Sequence, residues 1–344
     1  ATGGVGKWSL GDAGTVGRAT NKGFDMWLGY LNQDHAHYYY PDYLDYNDTI
    51  LGLPGNTLLR DHYSHDVLTN GALNFIRSSA DQPFFLYVAY TVPHYAAPEE
   101  DEHGLTVPST AAFDGNQWPT SAKKYATMLD KLDADVGRIT DLIQALDLAE
   151  NTLIVFTSDN GGHSTTYKPF NTNGPLRGYK RDLTEGGIRV PFIAYWPGHI
   201  PDGVVNEEVI AFQDMLPTFA ALAGAKAPEN CDGISVVNAL LGNAQEEHHE
   251  QLYWEYGHCR ARFDQAVRLG NWKGIRLGKD SRIALYDLSN DVSESLNVAE
   301  KNPDVVRQIA RIMNAEHVPN ERYPVGERYD GSAIWQNESP FSMD

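Results

Sequence analysis

A carboxylate and a carboxamide stand side by side directly after a strand-like run of the sequence. The run is residues 152–157 (TLIVFT), and Asp159 and Asn160 follow it in the pentad SDNGG. In open α/β sheets, ligand sites lie at the carboxyl ends of strands. Carboxylate and amide oxygens are hard ligands that suit Ca²⁺ or Mg²⁺. Asp159 and Asn160 are therefore candidate metal ligands, although an ordinary turn would carry the same residues.

Two lysines and a histidine have the chemistry of an oxyanion site. Lys180 ends the segment LRGYK at 176–180, and Lys7 lies in GKW near the start of the chain. Each ammonium offers three donors to an anionic oxygen group. His94 follows the apolar run at 84–91 and is placed to exchange protons near neutral pH. Taken singly, each is equally compatible with a surface lysine or a loop histidine.

The elements that would position these residues alternate between strand and helix through the first two thirds of the chain. Apolar runs predict buried strands, and apolar residues at three- and four-residue steps predict an amphipathic helix. The strands are expected at 84–91, 152–157 and 188–195, and the helix at 121–148. A strand, a helix and a strand in that order predict a crossover unit and a parallel sheet.

The sequence pattern changes after about residue 224. Short strands are predicted at 251–256, 265–269, 272–275 and 283–288, and a helix is predicted after the N-cap Asn302. This order indicates a small antiparallel sheet with a packed helix. We therefore assign residues 1–245 to a main α/β domain and residues 246–344 to a C-terminal subdomain with this sheet, the helix and an irregular tail.

Together and in this order, the segments resemble the sulfatase family. The matching segments are GKW, the histidine after a strand, SDNGG, LRGxK, EGGxRVP at 185–191, and the later segments 212–218 and 285–288. The resemblance implies an α/β fold with an alkaline-phosphatase-like, mostly parallel sheet flanked by helices. It also implies hydrolysis of sulfate monoesters at a site with one bound Ca²⁺, with Mg²⁺ as the less favoured ion.

The resemblance further implies a role for each candidate residue. Asp159 and Asn160 match metal ligands, Lys7 and Lys180 match the lysines that hold the sulfate, and His94 matches the histidine near the leaving oxygen. In the family, a cysteine or serine is oxidised to formylglycine, and the hydrate of this residue attacks sulfur. These roles agree with physical expectation, because cations neutralise charge on an oxyanion and on the departing alkoxide.

Two features depart from the family pattern. Ser9 stands after GKW, where the family commonly has a histidine that helps to release sulfate. The family's formylglycine precursor motif is Cys or Ser, any residue, Pro or Ala, any residue, and Arg. Cys259 has an alanine in the third position but Phe263 in the place of the arginine, Cys231 fails at both positions, and no serine fits. We expect the precursor, and the paired aspartates that complete the metal site, in a segment upstream of Ala1. The main domain would then be incomplete at its N-terminus.

Charge and apolar content exclude some classes of partner. The chain has 27 Lys and Arg against 46 Asp and Glu, a formal net charge of -19, which repels nucleic acid and anionic membranes. It has no apolar run long enough for a transmembrane helix. Two cysteines do not make a disulfide framework. The family resemblance favours a secreted or periplasmic location.

The candidates for substrate binding combine histidines with aromatic side chains. His35 and His37 lie in the segment DHAHYYYP at 34–41, and His163 directly follows the metal motif. Further candidates for the rim of a pocket are Trp118, His258 and Arg262. Aromatic faces and polar groups together suit sugar rings, so we favour a sulfated carbohydrate as substrate. An alternative interpretation is that the tyrosines of 34–41 pack under a loop.

Two other functions fit parts of the sequence. One is a non-catalytic relative that binds a sulfated or other anionic ligand. The other is a phosphodiester or phosphonate hydrolase of the same superfamily, which is disfavoured because LRGxK combined with EGGxRVP resembles the sulfatase version of these segments. Hydrolysis of aryl sulfate against aryl phosphate esters separates the sulfatase from the phosphodiester or phosphonate hydrolase.

Overall fold

The computed structural model describes residues 1–101, 104–163, 169–257 and 262–319. They divide into two compact units. The first unit is built on residues 1–153, together with Pro169 and Phe170, and the second on the remaining described residues. Residues from both sides of the expected 245/246 boundary contribute to the second unit, and the division into 1–245 and 246–344 stays a prediction. His258, Cys259 and residues 320–344 lie outside the described residues.

A mixed five-stranded sheet forms the centre of the first unit. Its strand order is β4-β3-β2-β1-β5. The strands are β1 (Thr2–Lys7), β2 (Met26–Tyr30), β3 (Tyr43–Tyr46), β4 (Thr49–Gly52) and β5 (Phe85–Ala89). Strand β1 pairs in parallel with β2 and with β5, whereas β2, β3 and β4 pair antiparallel. The three parallel strands therefore end at one edge of the sheet.

The first unit has three α-helices: α1 (Asn56–Leu59), α2 (Ser64–Ser79) and α3 (Thr120–Ala145). Helix α2 packs on the sheet through its apolar face, and Ile139 of α3 packs against the same core cluster. Leu68 and Ala72 of α2 are fully buried and pack with Val5 of β1 and Leu28 of β2 in the largest core cluster. The three- and four-residue apolar steps predicted α3 to within three residues at its C-terminus, because this spacing is specific to a helix with one buried face.

The sequence predicted that the strands at 84–91 and 152–157 belong to one parallel sheet, and this prediction is wrong. Residues 154–157 form β6 (Ile154–Thr157), which pairs antiparallel with β7 (Phe192–Tyr195) in a separate two-stranded sheet. The expected burial of 84–91 is also wrong in part, since Phe85 is 44% and Tyr87 is 45% exposed. Strand β5 is an edge strand, and an apolar run does not specify the partner of a strand.

The second unit contains the predicted antiparallel sheet and its helix. The sheet has the order β11-β10-β9-β8, with β8 (Gln251–Tyr256), β9 (Asp264–Leu269), β10 (Trp272–Leu277) and β11 (Ala284–Asp287). Helix α7 (Pro303–Glu316) begins after Asn302 and buries Ile309, Ile312 and Met313 against this sheet. Three shorter helices precede them: α4 (Glu185–Ile188), α5 (Met215–Leu222) and α6 (Val237–Leu240). This part of the fold agrees with the sequence interpretation.

Within the described ranges, no helix has the length and apolar content needed to cross a membrane. Cys231 is a free thiol.

Candidate functional site

Candidate residues of the first unit follow the carboxyl ends of three neighbouring parallel strands. Lys7 is the last residue of β1, and its partner in the register is Tyr30, the last residue of β2. His37 ends a short 3₁₀ helix after β2. His94 follows β5, whose last residue Ala89 pairs with the residue before Lys7. Lys7, His37 and His94 therefore belong to the same edge of the sheet, where α/β folds place their ligands.

A close approach of two strands fixes the backbone just before Lys7. Gly6 has φ +108°, and a Cβ at this position would lie 1.9 Å from the carbonyl oxygen of Ala89. Only glycine tolerates both the positive φ and this contact. The glycine of the GKW segment thus fixes the backbone conformation directly before Lys7.

The ring of His94 is held by its neighbours. It lies 4.3 Å from the ring of Tyr95 and 5.0 Å from that of His37, measured between centroids. Nδ1 of His94 lies 3.0 Å from the carbonyl oxygen of Tyr95. A carbonyl oxygen only accepts hydrogen bonds, so Nδ1 carries a proton. Proton exchange with a ligand is then assigned to Nε2.

The segment around His37 is bound to the loop that carries His94. The buried hydroxyl of Tyr39 donates to the carbonyl oxygen of His94 at 2.7 Å. The amide of Ala97 donates to the carbonyl oxygen of His37 at 2.8 Å. Tyr39 is 1% exposed, so for this tyrosine the structure supports the packing interpretation and not a place on a pocket rim.

Glu100 also connects the loop that carries His94 to the segment around His37. Its carboxylate accepts the amide protons of Tyr39 at 2.8 Å and Tyr40 at 2.6 Å. Burial raises the pKa of the Glu100 carboxyl, and the two backbone donors oppose this rise. The loop that carries His94 is therefore fixed by backbone hydrogen bonds as well as by ring contacts.

His35 lies apart from this histidine pair. Its ring contacts those of Tyr43, at 4.5 Å between centroids, and Tyr30, at 5.0 Å. Burial lowers the pKa of His35, and the attraction of Asp45 and Asp42 opposes this. Its contacts are those of a packed histidine, whereas His37 contacts His94 directly.

In the second unit, Asp159 and Asn160 follow the carboxyl end of β6. Among the described residues, neither side chain makes a hydrogen bond. The hydroxyl of Ser158 donates to the carbonyl oxygen of Asn160 at 2.9 Å. The next residue, Gly161, donates its amide proton to the carbonyl oxygen of Gly187 at 3.0 Å. A Cβ on Gly161 would lie 1.8 Å from the oxygen of Gly186, so the SDNGG turn needs glycine to approach α4.

Lys180 and His163 lie close enough to this turn to interact electrostatically. The amide of Lys180 donates to the carbonyl oxygen of Gly162 at 3.0 Å. Burial lowers the pKa of the Lys180 ammonium, while the attraction of Asp159 raises it. Desolvation, followed by the repulsion of Lys180, lowers the pKa of His163. The second unit therefore brings Asp159, His163 and Lys180 into one electrostatic cluster.

The oxygen atoms of Asp159 and Asn160 fit a hard cation. Carboxylate and carboxamide oxygens are ligands of Ca²⁺, which takes about 6–8 oxygens. Across the described part of the chain, no three His, Cys, Asp or Glu side chains are grouped as a metal site. Asp159 and Asn160 are thus candidates for part of the ligand set of such an ion, and their role as ligands stays a prediction.

Arg262 already has a partner in the described structure. Its Nε and Nη2 atoms lie 2.6 and 2.8 Å from the two carboxylate oxygens of Asp264. This bidentate contact raises the pKa of the guanidinium. The structure brings together His37 with His94 in one unit, and His163 and Lys180 with Asp159 in the other. The convergence of these two groups in one cleft stays a prediction.

Comparison with known proteins decides the family. A family model described as Sulfatase matches residues 1–225, and one described as N-sulphoglucosamine sulphohydrolase, C-terminal, matches residues 178–318. The chain belongs to the sulfatase family. This confirms the resemblance that the motifs indicated.

Relatives and solved structures agree with the assignment. The chain is 30% identical over 288 residues to arylsulfatase A of Homo sapiens, a match that covers 76% of this chain and 52% of that protein. It is 29% identical over 305 residues to an N-acetylgalactosamine-6-O-sulfatase of Bacteroides thetaiotaomicron, covering 78% of this chain and 56% of that protein. The chain thus spans about half the length of these relatives.

The solved structure of Ps i-CgsB in complex with k-i-k-neocarrahexaose matches with a TM-score of 0.78 at 30% identity. The match covers 91% of this sulfatase-family chain and 70% of that structure. The α/β fold expected from the sequence is thereby confirmed.

Some supporting residues of the site were missed by the sequence reasoning. Glu100 lies in an acidic stretch that reads as a solvated surface, and Lys273 lies within a strand where a lysine is expected to face solvent. Instead, Glu100 accepts two backbone protons and Lys273 is fully buried. Charged side chains that bind other parts of the chain leave no local pattern, so the sequence offered no signal for them.

Proposed function

We propose that the protein hydrolyses sulfate monoesters and that its candidate site residues take part in this reaction. The observation that carries the proposal is the position of Lys180, whose amide donates to the carbonyl oxygen of Gly162, two residues after Asn160, at 3.0 Å. The attraction of Asp159 raises the pKa of the half-buried Lys180 ammonium, against the effect of burial, and the side-chain oxygens of Asp159 and Asn160 are the candidate metal ligands. A cation held by these oxygens and an ammonium beside it attract a group with shared negative charge, such as a sulfate ester. Membership of the sulfatase family supports the same reaction.

The residues of this chain have distinct tasks in the proposed reaction. Lys7 and Lys180 donate hydrogen bonds to sulfate oxygens and neutralise their charge. Protonated His94 gives its Nε2 proton to the leaving oxygen as the S–O bond breaks. Its Nδ1–H group stays hydrogen-bonded to the carbonyl oxygen of Tyr95. Asp159 and Asn160 would hold Ca²⁺, which would supply Lewis-acid polarisation of a sulfate oxygen.

The attacking group in this proposal is a hydroxyl of a hydrated formylglycine, which none of the residues of this chain supplies. No cysteine or serine of the chain carries the precursor motif. The chain therefore provides charge neutralisation and proton transfer, and a nucleophile-bearing form of the protein, one that includes the precursor motif, performs the complete reaction.

The substrate class that we propose is a sulfated carbohydrate. Two similar proteins carry saccharide names: one is an N-acetylgalactosamine-6-O-sulfatase, and the other was solved with k-i-k-neocarrahexaose. Next to His94, the rings of His37 and Tyr95 contact each other at 5.1 Å between centroids. Rings with a polar edge suit contacts with a sugar that bears hydroxyl groups.

Hydrolysis by the nucleophile-bearing form tests the proposal. Aryl sulfate, aryl phosphate and sulfated oligosaccharides are offered to the wild type, to Lys180→Ala and to Lys226→Ala, which removes an exposed lysine as the matched control. We expect sulfate hydrolysis that falls about 10²- to 10³-fold in Lys180→Ala alone, as for other donors to a developing anion. Preference for aryl phosphate would favour the phosphoester alternative. Sulfate binding without hydrolysis would favour the non-catalytic one.

A further inference from the structure

A group of buried charges lies against helix α4 in the second unit. Lys273 of β10 is fully buried, and its Nζ lies 2.7 Å from Oε1 of Glu185, the first residue of α4. Glu294 is 1% exposed, and its Oε1 lies 4.0 Å from the same Nζ. We call Lys273, Glu185 and Glu294 the buried triad.

The triad also holds the backbone of α4. Oε2 of Glu294 accepts the amide proton of Glu185 at 2.8 Å, so one carboxylate fixes the start of the helix that carries the other. Glu294 itself has φ +50°, a conformation that is uncommon for a residue with a side chain. The buried position of Glu294 is therefore reached with a backbone conformation that is energetically unfavourable for a residue with a side chain.

Two partly exposed arginines also lie near the carboxylates of the triad. Nε of Arg177 lies 3.8 Å from Oε2 of Glu294, and Nη1 of Arg189 lies 3.6 Å from Oε2 of Glu185. Their side chains are 43% and 49% exposed. Burying three charged groups carries a desolvation penalty that their mutual attraction does not reliably exceed. A gain in the free energy of folding is therefore a weak explanation for this arrangement. A need for fixed geometry around α4 explains it better.

Backbone hydrogen bonds connect the triad to the residues of the site. The carbonyl oxygen of Gly187, two residues after Glu185, accepts the amide proton of Gly161 at 3.0 Å. The amide of Gly186 donates to the carbonyl oxygen of Arg177 at 2.7 Å. Helix α4 thus contacts both the residue after Asn160 and the segment that leads to Lys180.

We propose that Lys273 and Glu294 are positioning residues of the sulfate site. Through Glu185 and α4 they hold the turn that presents Asp159 and Asn160, and the segment that presents Lys180. The proposal rests on the proposed function, and it assigns the C-terminal antiparallel sheet a part in setting the geometry of metal and sulfate binding.

Lys273→Met tests this directly, because it removes the ammonium and retains the length of the side chain. Lys279→Met, at an exposed lysine just beyond β10, is the matched control. In the nucleophile-bearing form, we expect Lys273→Met to weaken Ca²⁺ binding and to lower kcat by about 10-fold or more, since outer partners of metal ligands commonly contribute 10–100-fold. The control should retain both values.

Hydrogen exchange separates this inference from the proposed function. We expect the amides of 158–163 and 177–189 to exchange faster in Lys273→Met than in the wild type or the control, whatever the reaction. Faster exchange in an enzyme that hydrolyses no sulfate ester would refute the function and keep the positioning role. Wild-type exchange, Ca²⁺ affinity and kcat in folded Lys273→Met would overturn the positioning role.

Glu294→Gln decides the question if Lys273→Met does not fold. Its amide oxygen still accepts the proton of Glu185, but it no longer attracts Lys273. We expect a folded protein with weakened Ca²⁺ binding and an effect smaller than that of Lys273→Met. A melting temperature that falls while exchange of 158–163, Ca²⁺ affinity and kcat stay at wild-type values would assign Glu294 to stability alone and contradict the proposal.

Discussion

His94 is a residue whose surroundings determine what its proton can do. Its Nδ1 is committed to the carbonyl oxygen of Tyr95, and that loop is held by the buried hydroxyl of Tyr39. The ring therefore has a defined tautomer before any ligand binds. This is the arrangement expected of a group that transfers one proton from one atom.

Replacing His94 by Ala should affect poor leaving groups most. A sulfate ester of a sugar hydroxyl leaves as an alkoxide that needs a proton, whereas a nitrophenolate leaves without one. We expect kcat in the nucleophile-bearing form to fall by about 10²- to 10⁴-fold on the sugar sulfate, and much less on nitrophenyl sulfate. The measurement is kcat across leaving groups of increasing pKa. An equal loss on all of them would contradict proton donation by His94.

Lys180 should give the sulfate site a dependence on alkaline pH. Burial lowers the pKa of its ammonium, with Asp159 acting in the opposite direction. A lysine with a lowered pKa loses its charge at a lower pH than an ordinary lysine, which titrates near about 10.4. We expect inhibition by inorganic sulfate to weaken as the pH rises toward that range.

Lys180→Arg provides the comparison for this pH dependence. The guanidinium stays charged at every pH of the measurement. In Lys180→Arg, sulfate affinity should therefore not fall at alkaline pH, even if it is lower than in the wild type at neutral pH. The inhibition constant of sulfate between neutral and alkaline pH measures this in both variants. The same alkaline loss in Lys180→Arg would show that another group titrates.

At the scale of elements, periodic segments were predictable and strand partners were not. Helices α3 and α7 and the strands β8 to β11 follow their sequence patterns because amphipathic spacing and tight turns are local signals. Strand β6 was predicted in place but with the wrong partner, since hydrogen bonding between strands depends on distant residues. The motifs, which are local signals, pointed to Asp159 and Lys180 as candidates. No local pattern indicated Lys273 or Glu294, because their contacts depend on distant residues.

The contact between the SDNGG turn and α4 is an element-scale feature that a single methyl group should disrupt. A Cβ on Gly161 would lie 1.8 Å from the carbonyl oxygen of Gly186. We expect Gly161→Ala to lower the free energy of unfolding by about 1–3 kcal/mol, the usual range for overpacking. It should also weaken Ca²⁺ binding, because Asp159 and Asn160 move with the turn.

Gly137→Ala is the matched control for this substitution. Gly137 lies inside α3, and a Cβ there meets no atom within 4 Å. Alanine favours a helix over glycine by about 1 kcal/mol, so this variant should be at least as stable as the wild type. Chemical denaturation and calcium titration compare the two. A Gly161→Ala protein with wild-type stability and Ca²⁺ affinity would show that the turn adapts.

At the scale of the whole molecule, the net charge and the local site have opposite signs. The chain carries a formal net charge of -19, yet the proposed substrate is an anion. The proposed function therefore requires local positive charge, which Lys180 and a cation held by Asp159 and Asn160 would supply. A few converging charges close to the ligand outweigh distant ones, because charges farther apart than about 8–10 Å are screened at ordinary ionic strength.

The whole chain also presents apolar strand surface to solvent. Phe85 and Tyr87 on the edge strand β5 are 44% and 45% exposed, and Ile193 of β7 is 59% exposed. Unpaired apolar edges promote association between chains. We expect residues 1–344, expressed alone, to self-associate with rising concentration, which light scattering measures against the nucleophile-bearing form. A monodisperse monomer at high concentration would contradict this.

The same 344 residues should show negligible turnover of sulfate esters. Covalent catalysis needs an attacking group held within contact distance of the sulfur atom, and no residue of the chain carries the motif of the formylglycine precursor. Without a nucleophile, the electrostatic pocket retains only residual catalysis, orders of magnitude below the complete enzyme. The test assays the chain and the nucleophile-bearing form side by side on a chromogenic aryl sulfate with Ca²⁺. Robust, metal-dependent hydrolysis by the chain alone would contradict this prediction, and Ser9, Thr157 and Ser158 would then be the first residues to replace in the search for a different nucleophile.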